Sequence, residues 1–143
     1  MEETVALVTG ASSGIGEALA RRIAQSKRNL VLVARRADRL EALAAALARE
    51  HGVRAHVLAH DLVQRGAVDA LLGEIGRRGL TVDWLVNNAG FGTVGRFADL
   101  PVERELEEIH LNIQTLVELT GRCLPAMVRR GHGVVMKIGR AHV

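Results

Sequence analysis

The stretch that most limits what this chain can fold into is Thr9-Gly10-Ala11-Ser12-Ser13-Gly14-Ile15-Gly16. The apolar run Val5-Ala6-Leu7-Val8 comes before it and reads as a buried strand, and an amphipathic run from Glu17 to about Gln25 follows and reads as a helix. A strand, a glycine-rich turn and a helix start, in that order, predict a phosphate site. The first N–H groups of a helix have no intrahelical partner and carry partial positive charge. Gly10 permits a tight turn, Gly14 lets backbone come close to a diphosphate, and Gly16 lets the helix pack on the strand. Ser12 and Ser13 add hydroxyl donors. The spacing is Gly-x-x-x-Gly-x-Gly. It is neither the commonest dinucleotide fingerprint nor the P-loop, which needs Gly-Lys-Ser/Thr. Taken alone, the stretch could also be an ordinary glycine-rich loop.

The rest of the chain decides. Asn29 to Ala34 reads as a second buried strand, ended by Arg35-Arg36. Asp38 with Glu41 three residues on predicts a capping box, opening a helix whose stripe is Leu40, Leu43 and Leu47 and which stops near Gly52. Val53 to Ala59 is a third, weaker strand with His60-Asp61-Leu62 as its exit. Val68, Leu71, Leu72 and Ile75 mark a third helix, closed by Gly79. Trp84-Leu85-Val86 is a fourth strand, entered from Val82-Asp83 and followed by Asn87-Asn88-Ala89-Gly90 and a loop with Phe91, Gly92, Gly95 and Phe97. Pro101 suits the first turn of a long helical region in which Leu106, Ile109, Ile113, Leu116, Thr120 and Leu124 face one way. Pro125 should bend or break that region. Gly133 to Ile138 starts a fifth strand.

This alternation predicts a doubly wound α/β sheet of parallel strands with right-handed crossovers. Ligands in such sheets bind outside the carboxyl ends of the strands. Gly10, Arg35, Asp61 and Asn88 all fall there, so four separate loops converge on one crevice. An acidic side chain at the second strand end would accept from a 2′-hydroxyl, whereas guanidinium forks suit a 2′-phosphate. Arg35 and Arg36 therefore point to NADP rather than NAD, although a solvated arginine pair is the plain alternative. Asp61 could bond an adenine amino group with Leu62 against the ring, or it could simply cap the next helix. Asn112 lies on the helical stripe, where a buried amide needs partners.

Bulk properties exclude other classes. At 143 residues, 48% hydrophobic and 24% charged, the chain has the make-up of one soluble domain with a real core. No apolar run is long enough to span a bilayer and none reads as a signal peptide, so a cytoplasmic protein without membrane contact is expected. The one cysteine, Cys123, fits a reducing compartment and a small buried residue rather than a nucleophile. Aromatic content of 2% leaves no stacking platform for nucleic acid, and no metal site is expected.

These stretches together resemble the short-chain dehydrogenase/reductase family. The resemblance rests on Thr9 to Gly16, Asp61-Leu62, Asn87-Asn88-Ala89-Gly90, Asn112, Leu124-Pro125-Ala126-Met127 and Gly131-His132-Gly133-Val134-Val135, and it covers Glu3 to about Met136. It implies a Rossmann fold and an NADP-dependent oxidoreductase. Hydride would pass between nicotinamide and a small-molecule carbonyl or alcohol substrate, in a parent protein that is a homo-oligomer. It implies that Gly10, Ser12, Ser13, Gly14, Ile15 and Gly16 hold the diphosphate side. Asn88, Ala89 and Gly90 would face the nicotinamide ribose, and Asn87 would brace the sheet. Asn112 would belong to a proton relay, through a helix kink and a bound water.

One departure counts against full activity. The family pattern needs a serine after the fifth strand, then a tyrosine with a lysine four residues on, and this chain has no tyrosine. Lys137 falls inside the fifth strand and is not that lysine. Residues 1–137 are therefore expected to be an incomplete NAD(P)-binding domain without turnover, the cofactor-binding half of an enzyme. The alternative is a catalytically inert dinucleotide-binding or sensor module; a different Rossmann enzyme, such as a methyltransferase, is disfavoured by Asn87 to Gly90. The fifth strand would form an exposed edge prone to self-association. Residues 138–143 are expected to be a non-native tail resembling a translated sequencing-library adapter.

Overall fold

The computed structural model describes residues 2–139, so residues 140–143 of the expected tail lie outside it. The elements run β1 (Glu3–Thr9), α1 (Gly14–Gln25), β2 (Asn29–Ala34), α2 (Ala37–His51), β3 (Ala55–Ala59), α3 (Ala67–Arg77), β4 (Leu80–Asn87), α4 (Val102–Ile109), α5 (Leu116–Arg130) and β5 (Val134–Lys137). A short 3-10 turn (Phe97–Asp99) precedes α4, and a π-helical turn (His110–Thr115) joins α4 to α5. The sheet is parallel throughout, in the order β3-β2-β1-β4-β5. This is the doubly wound Rossmann arrangement.

The unbroken apolar character of β1 and β2 has a direct cause. Alternate residues point to opposite faces, and both faces are covered. Val5, Leu7, Val31 and Val33 pack with Leu71 and Ile75 of α3 and with Leu119, Cys123 and Met127 of α5. Ala6, Val8, Leu30 and Leu32 pack on the other side with Ala20 and Ile23 of α1 and Leu40, Leu43 and Leu47 of α2. Each such Val or Leu contributes about 1.5–3 kcal/mol relative to exposure. β1 is the central strand, so its carboxyl end opens in the middle of the molecule.

Several local expectations are corrected. No capping box opens α2: the N-cap is Arg36, without a side-chain cap bond, and Asp38 lies inside the first turn instead. There its carboxylate still suits the positive helix end. Pro101 is the N-cap of α4 rather than a first-turn residue. Pro125 does not break α5, which continues to Arg130. Gly121, whose carbonyl the proline leaves without a helical donor, is exposed and can be solvated. The expected stripe splits: Leu106, Ile109, Ile113 and Leu124 face outward, Leu116 and Thr120 are half-buried, and the fully buried positions are Thr115, Leu119, Cys123 and Met127. Asn112 is half-buried on the same side as Leu116 and Thr120. Among the described residues, no helix is long and apolar enough to cross a membrane, and no cluster of His, Cys, Asp or Glu is placed to hold a metal ion.

Candidate functional site

The carboxyl ends of β1, β2, β3 and β4 open onto one cleft of about 260 Å³. Gly10, Ser12, Ser13 and Gly14 form its floor, Arg35 and Arg36 come from the β2 end, His60, Asp61 and Leu62 from the β3 end, and Asn88, Ala89 and Gly90 from the β4 end. The predicted convergence is thus the observed one. Ile15 and Gly16 do not line the cleft. The Ile15 side chain is 45% exposed, and Gly16 is buried beneath the turn.

The glycine turn is built by close approach. Gly10 has φ of +64°, which a side chain would strain, and a Cβ there would meet Asn88 Nδ2 at 2.8 Å. A Cβ on Gly16 would run into the Gly10 carbonyl and the Asn88 amide. Glycine at position 16 is therefore what lets α1 start tight against the end of β1. Ser13 is the α1 N-cap and makes no side-chain cap bond, which leaves its hydroxyl available at the helix start.

Thr9 joins this turn to β4. Its buried hydroxyl accepts N–H bonds from Asn88 (3.0 Å) and Ala89 (2.9 Å) and donates to the Val86 carbonyl (3.4 Å). Asn88 Nδ2 returns the contact, donating to the Thr9 carbonyl (3.1 Å) and the Gly10 carbonyl (3.2 Å). Asn88 Oδ1 is buried with no partner among the described residues. Asn87 turns the other way and donates to Thr120 Oγ1 of α5 (3.1 Å), so it ties the sheet to a helix rather than strand to strand.

At the β2 end, Arg36 pairs with Asp38 at 3.3 Å, both well exposed. The Asp38 carboxyl is held below its ordinary value by the Arg39 main-chain N–H first and by Arg36 second. At the β3 end, Asp61 accepts from the Val63 N–H (3.2 Å) and Gln64 Nε2 (3.3 Å). That is a local turn; the N-cap of α3 is Gly66. His60 contacts Glu74 at 3.0 Å, and with Arg78 it keeps the Glu74 carboxyl low.

Asn112 sits in the π-helical turn between α4 and α5. Its side chain is spent on one residue: Oδ1 accepts the Phe91 N–H (3.1 Å) and Nδ2 donates to the Phe91 carbonyl (2.7 Å). A Cβ on Gly90 would meet Asn112 Oδ1 at 2.7 Å, so the small residue admits this clamp. The sequence reading missed Phe91, Arg104 and Leu111 as lining residues, and Thr9 as the hub. A threonine at the end of an apolar strand was the one available signal for the hub.

The residues present fit a dinucleotide. The turn offers unpaired helix-start N–H groups, glycine closes it tightly enough for backbone to meet a phosphate, Asn88 Oδ1 waits for a donor, and two arginines stand at the β2 end.

Comparison with known proteins agrees in extent and kind. A family model described as short chain dehydrogenase matches residues 4–141. The very-long-chain 3-oxoacyl-CoA reductase of Anas platyrhynchos is 31% identical over 140 residues, covering 95% of this chain and 45% of the relative. The NADP-dependent 3-hydroxy acid dehydrogenase YdfG of Escherichia coli is 33% identical over 136 residues, covering 94% and 53%. Among solved structures, a short-chain dehydrogenase from Sphingobium yanoikuyae in complex with NADPH superposes with a TM-score of 0.87 at 38% identity, over 96% of this chain and 53% of that one. L-Sorbose reductase from Gluconobacter frateurii, complexed with NADPH and L-sorbose, gives 0.85 at 35%, over 94% and 51%. The chain spans about half the length of the curated relatives it matches.

Proposed function

The chain belongs to the short-chain dehydrogenase family, and on that premise we propose that it is the NADP(H)-binding half of an oxidoreductase acting on a small carbonyl or alcohol. When bound, the nicotinamide supplies or takes the hydride. The chain's own residues bind and orient. The Gly10–Gly16 turn and the start of α1 hold the diphosphate, and Asn88, Ala89 and Gly90 shape the wall for the nicotinamide ribose. Asp61 and Leu62 border the adenine. Arg35 and Arg36 take the 2′-phosphate, with Asp38 as their competitor. Asn112 fixes the Phe91 main chain and so holds the β4 exit in place. A place for it in a proton relay needs a further group beyond the two bonds it already makes.

The observation that carries this reading is the meeting of the glycine turn and the Arg35-Arg36 pair in one cleft, from neighbouring strands of a parallel sheet. The exposed apolar face of α4 and α5 supports a homo-oligomeric parent protein, and the buried lone Cys123 supports a cytoplasmic setting. With no tyrosine in the sequence, nothing here matches the family's proton donor, and the chain by itself should not reduce ketones with NADPH. Calorimetric titration with NADPH and NADH tests the binding claim. A preference of about tenfold or more for NADPH, from charge-assisted bonds worth roughly 1.5–3 kcal/mol, should vanish in the Arg35→Ala, Arg36→Ala double variant. Equal affinities in the unaltered chain would overturn the 2′-phosphate assignment.

A further inference from the structure

The cleft carries a third arginine that the sequence reading did not assign. Arg104 projects from α4 to the cleft wall formed by Phe91 and Leu111. In the sheet order, β2 and β4 flank β1 on opposite sides. Arg35 and Arg36 therefore approach the glycine turn from one side, and Phe91 with Arg104 from the other. The Arg104 guanidinium lies 3.7 Å from the centroid of the Phe91 ring, a cation–π stack. That ring belongs to a residue whose main-chain N–H and carbonyl are both gripped by Asn112. Asn112 thus holds the main chain that carries the ring, and Arg104 stacks on that ring at the cleft.

We propose that Arg104 is a dinucleotide-binding residue that serves the diphosphate. The inference rests on the cofactor reading given above. An NADP molecule carries two anionic regions, the 2′-phosphate and the diphosphate. The Arg35-Arg36 pair at the β2 end is assigned to the first, so a cation entering the same cleft from the β4 side is left with the second. Arg104 has donors to spare. Guanidinium offers five N–H groups, and one ion pair, Nη1 to Glu107 at 2.8 Å, occupies it. That pair is half-exposed and weak, so it trims the cation's field without cancelling it. The Glu107 contact uses Nη1, so Nη2 and Nε are the donors left to face a phosphate. Because the diphosphate is common to both cofactors, Arg104 raises affinity without choosing between them.

The test is a set of binding titrations on the chain itself, with NADPH, NADH and adenosine 2′-phosphate as probes. Arg104→Gln is expected to weaken NADPH and NADH equally, by about tenfold, and to leave adenosine 2′-phosphate unchanged. Arg104→Lys, which keeps the charge but loses the planar fork and much of the stack, should fall between. Glu107→Gln should tighten both dinucleotides about two- to threefold by releasing the cation. Arg35→Ala with Arg36→Ala should show the opposite selectivity, weakening NADPH and adenosine 2′-phosphate while sparing NADH. Dinucleotide affinities within twofold of the unaltered chain for Arg104→Gln, or a loss confined to NADPH, overturn the proposal and leave the cofactor reading intact. Failure of the unaltered chain to bind either dinucleotide overturns both.

Discussion

Replacing Asn88 by aspartate inverts the polarity of the contact that holds β1 and β4 together at the cleft. In the native chain Nδ2 donates to the Thr9 and Gly10 carbonyls at 3.1 and 3.2 Å, in a residue only 8% exposed. Asn88→Asp is nearly isosteric but sets an acceptor against two carbonyl oxygens. Losing two hydrogen bonds costs about 2 kcal/mol, and an unpaired buried carboxylate adds roughly 2 kcal/mol or more. The sum of about 4 kcal/mol lowers the melting temperature by roughly 12 °C in a domain of this size. The sign of the pH dependence follows from the same contact. Burial and facing carbonyls disfavour the charged form, so the folded-state pKa of the introduced carboxyl lies above its unfolded value. The variant then keeps most stability below the unfolded pKa and loses it as pH rises through the folded one. Melting followed by circular dichroism at pH 4.5 and 7.5 should show the gap to the unaltered chain widening with pH, while Asn88→Ala shows a smaller gap with no such trend. A gap under about 3 °C at pH 7.5, or one that does not grow between the two pH values, would show that the Asn88 contact does not hold β1 to β4 as described.

Three other outcomes follow from contacts elsewhere. Burial pushes the Cys123 thiol up to about 11, so at pH 8 it should react with iodoacetamide far more slowly in the folded chain than in urea; equal rates would contradict its burial. Asn112→Ala frees both main-chain groups of Phe91 and should cost about 1–2 kcal/mol, with faster amide exchange at Phe91 than at the β4 core, which hydrogen-exchange mass spectrometry reads. Glu74→Gln removes a carboxylate whose pKa is lowered by His60 and then Arg78. Its destabilisation should be present at neutral pH and disappear on acidification through the lowered value, and a pH-independent difference in melting temperature would contradict that.

The sheet was legible because its signals are local. β1 and β2 are apolar without a break, and only strands covered on both faces read that way. The cleft was legible through topology, since parallel strands place their carboxyl ends on one side. The long helical region was not. The residues from Leu106 to Leu124 recur at helical spacing, yet the packed face is Thr115, Leu119, Cys123 and Met127. Two apolar faces lie on one helical region, and periodicity does not say which one meets the sheet. The π-helical turn at His110–Thr115 adds a register change that no residue type announces. Arg104 was hidden for a similar reason. Among the four glutamates of residues 103 to 108 it reads as one more solvated residue, and only the fold brings it over Phe91.

Binding of NADP(H) in the cleft is tested most directly by amide chemical-shift mapping of the isotope-labelled chain during titration with NADPH. Saturable shifts are expected at Gly10 to Gly16, Arg35 and Arg36, Asp61 and Leu62, and Asn88 to Phe91, with β5 and the outer faces of α2 and α5 quiet. Shifts that do not saturate, or that gather away from the carboxyl ends of β1, β2, β3 and β4, would rule that site out.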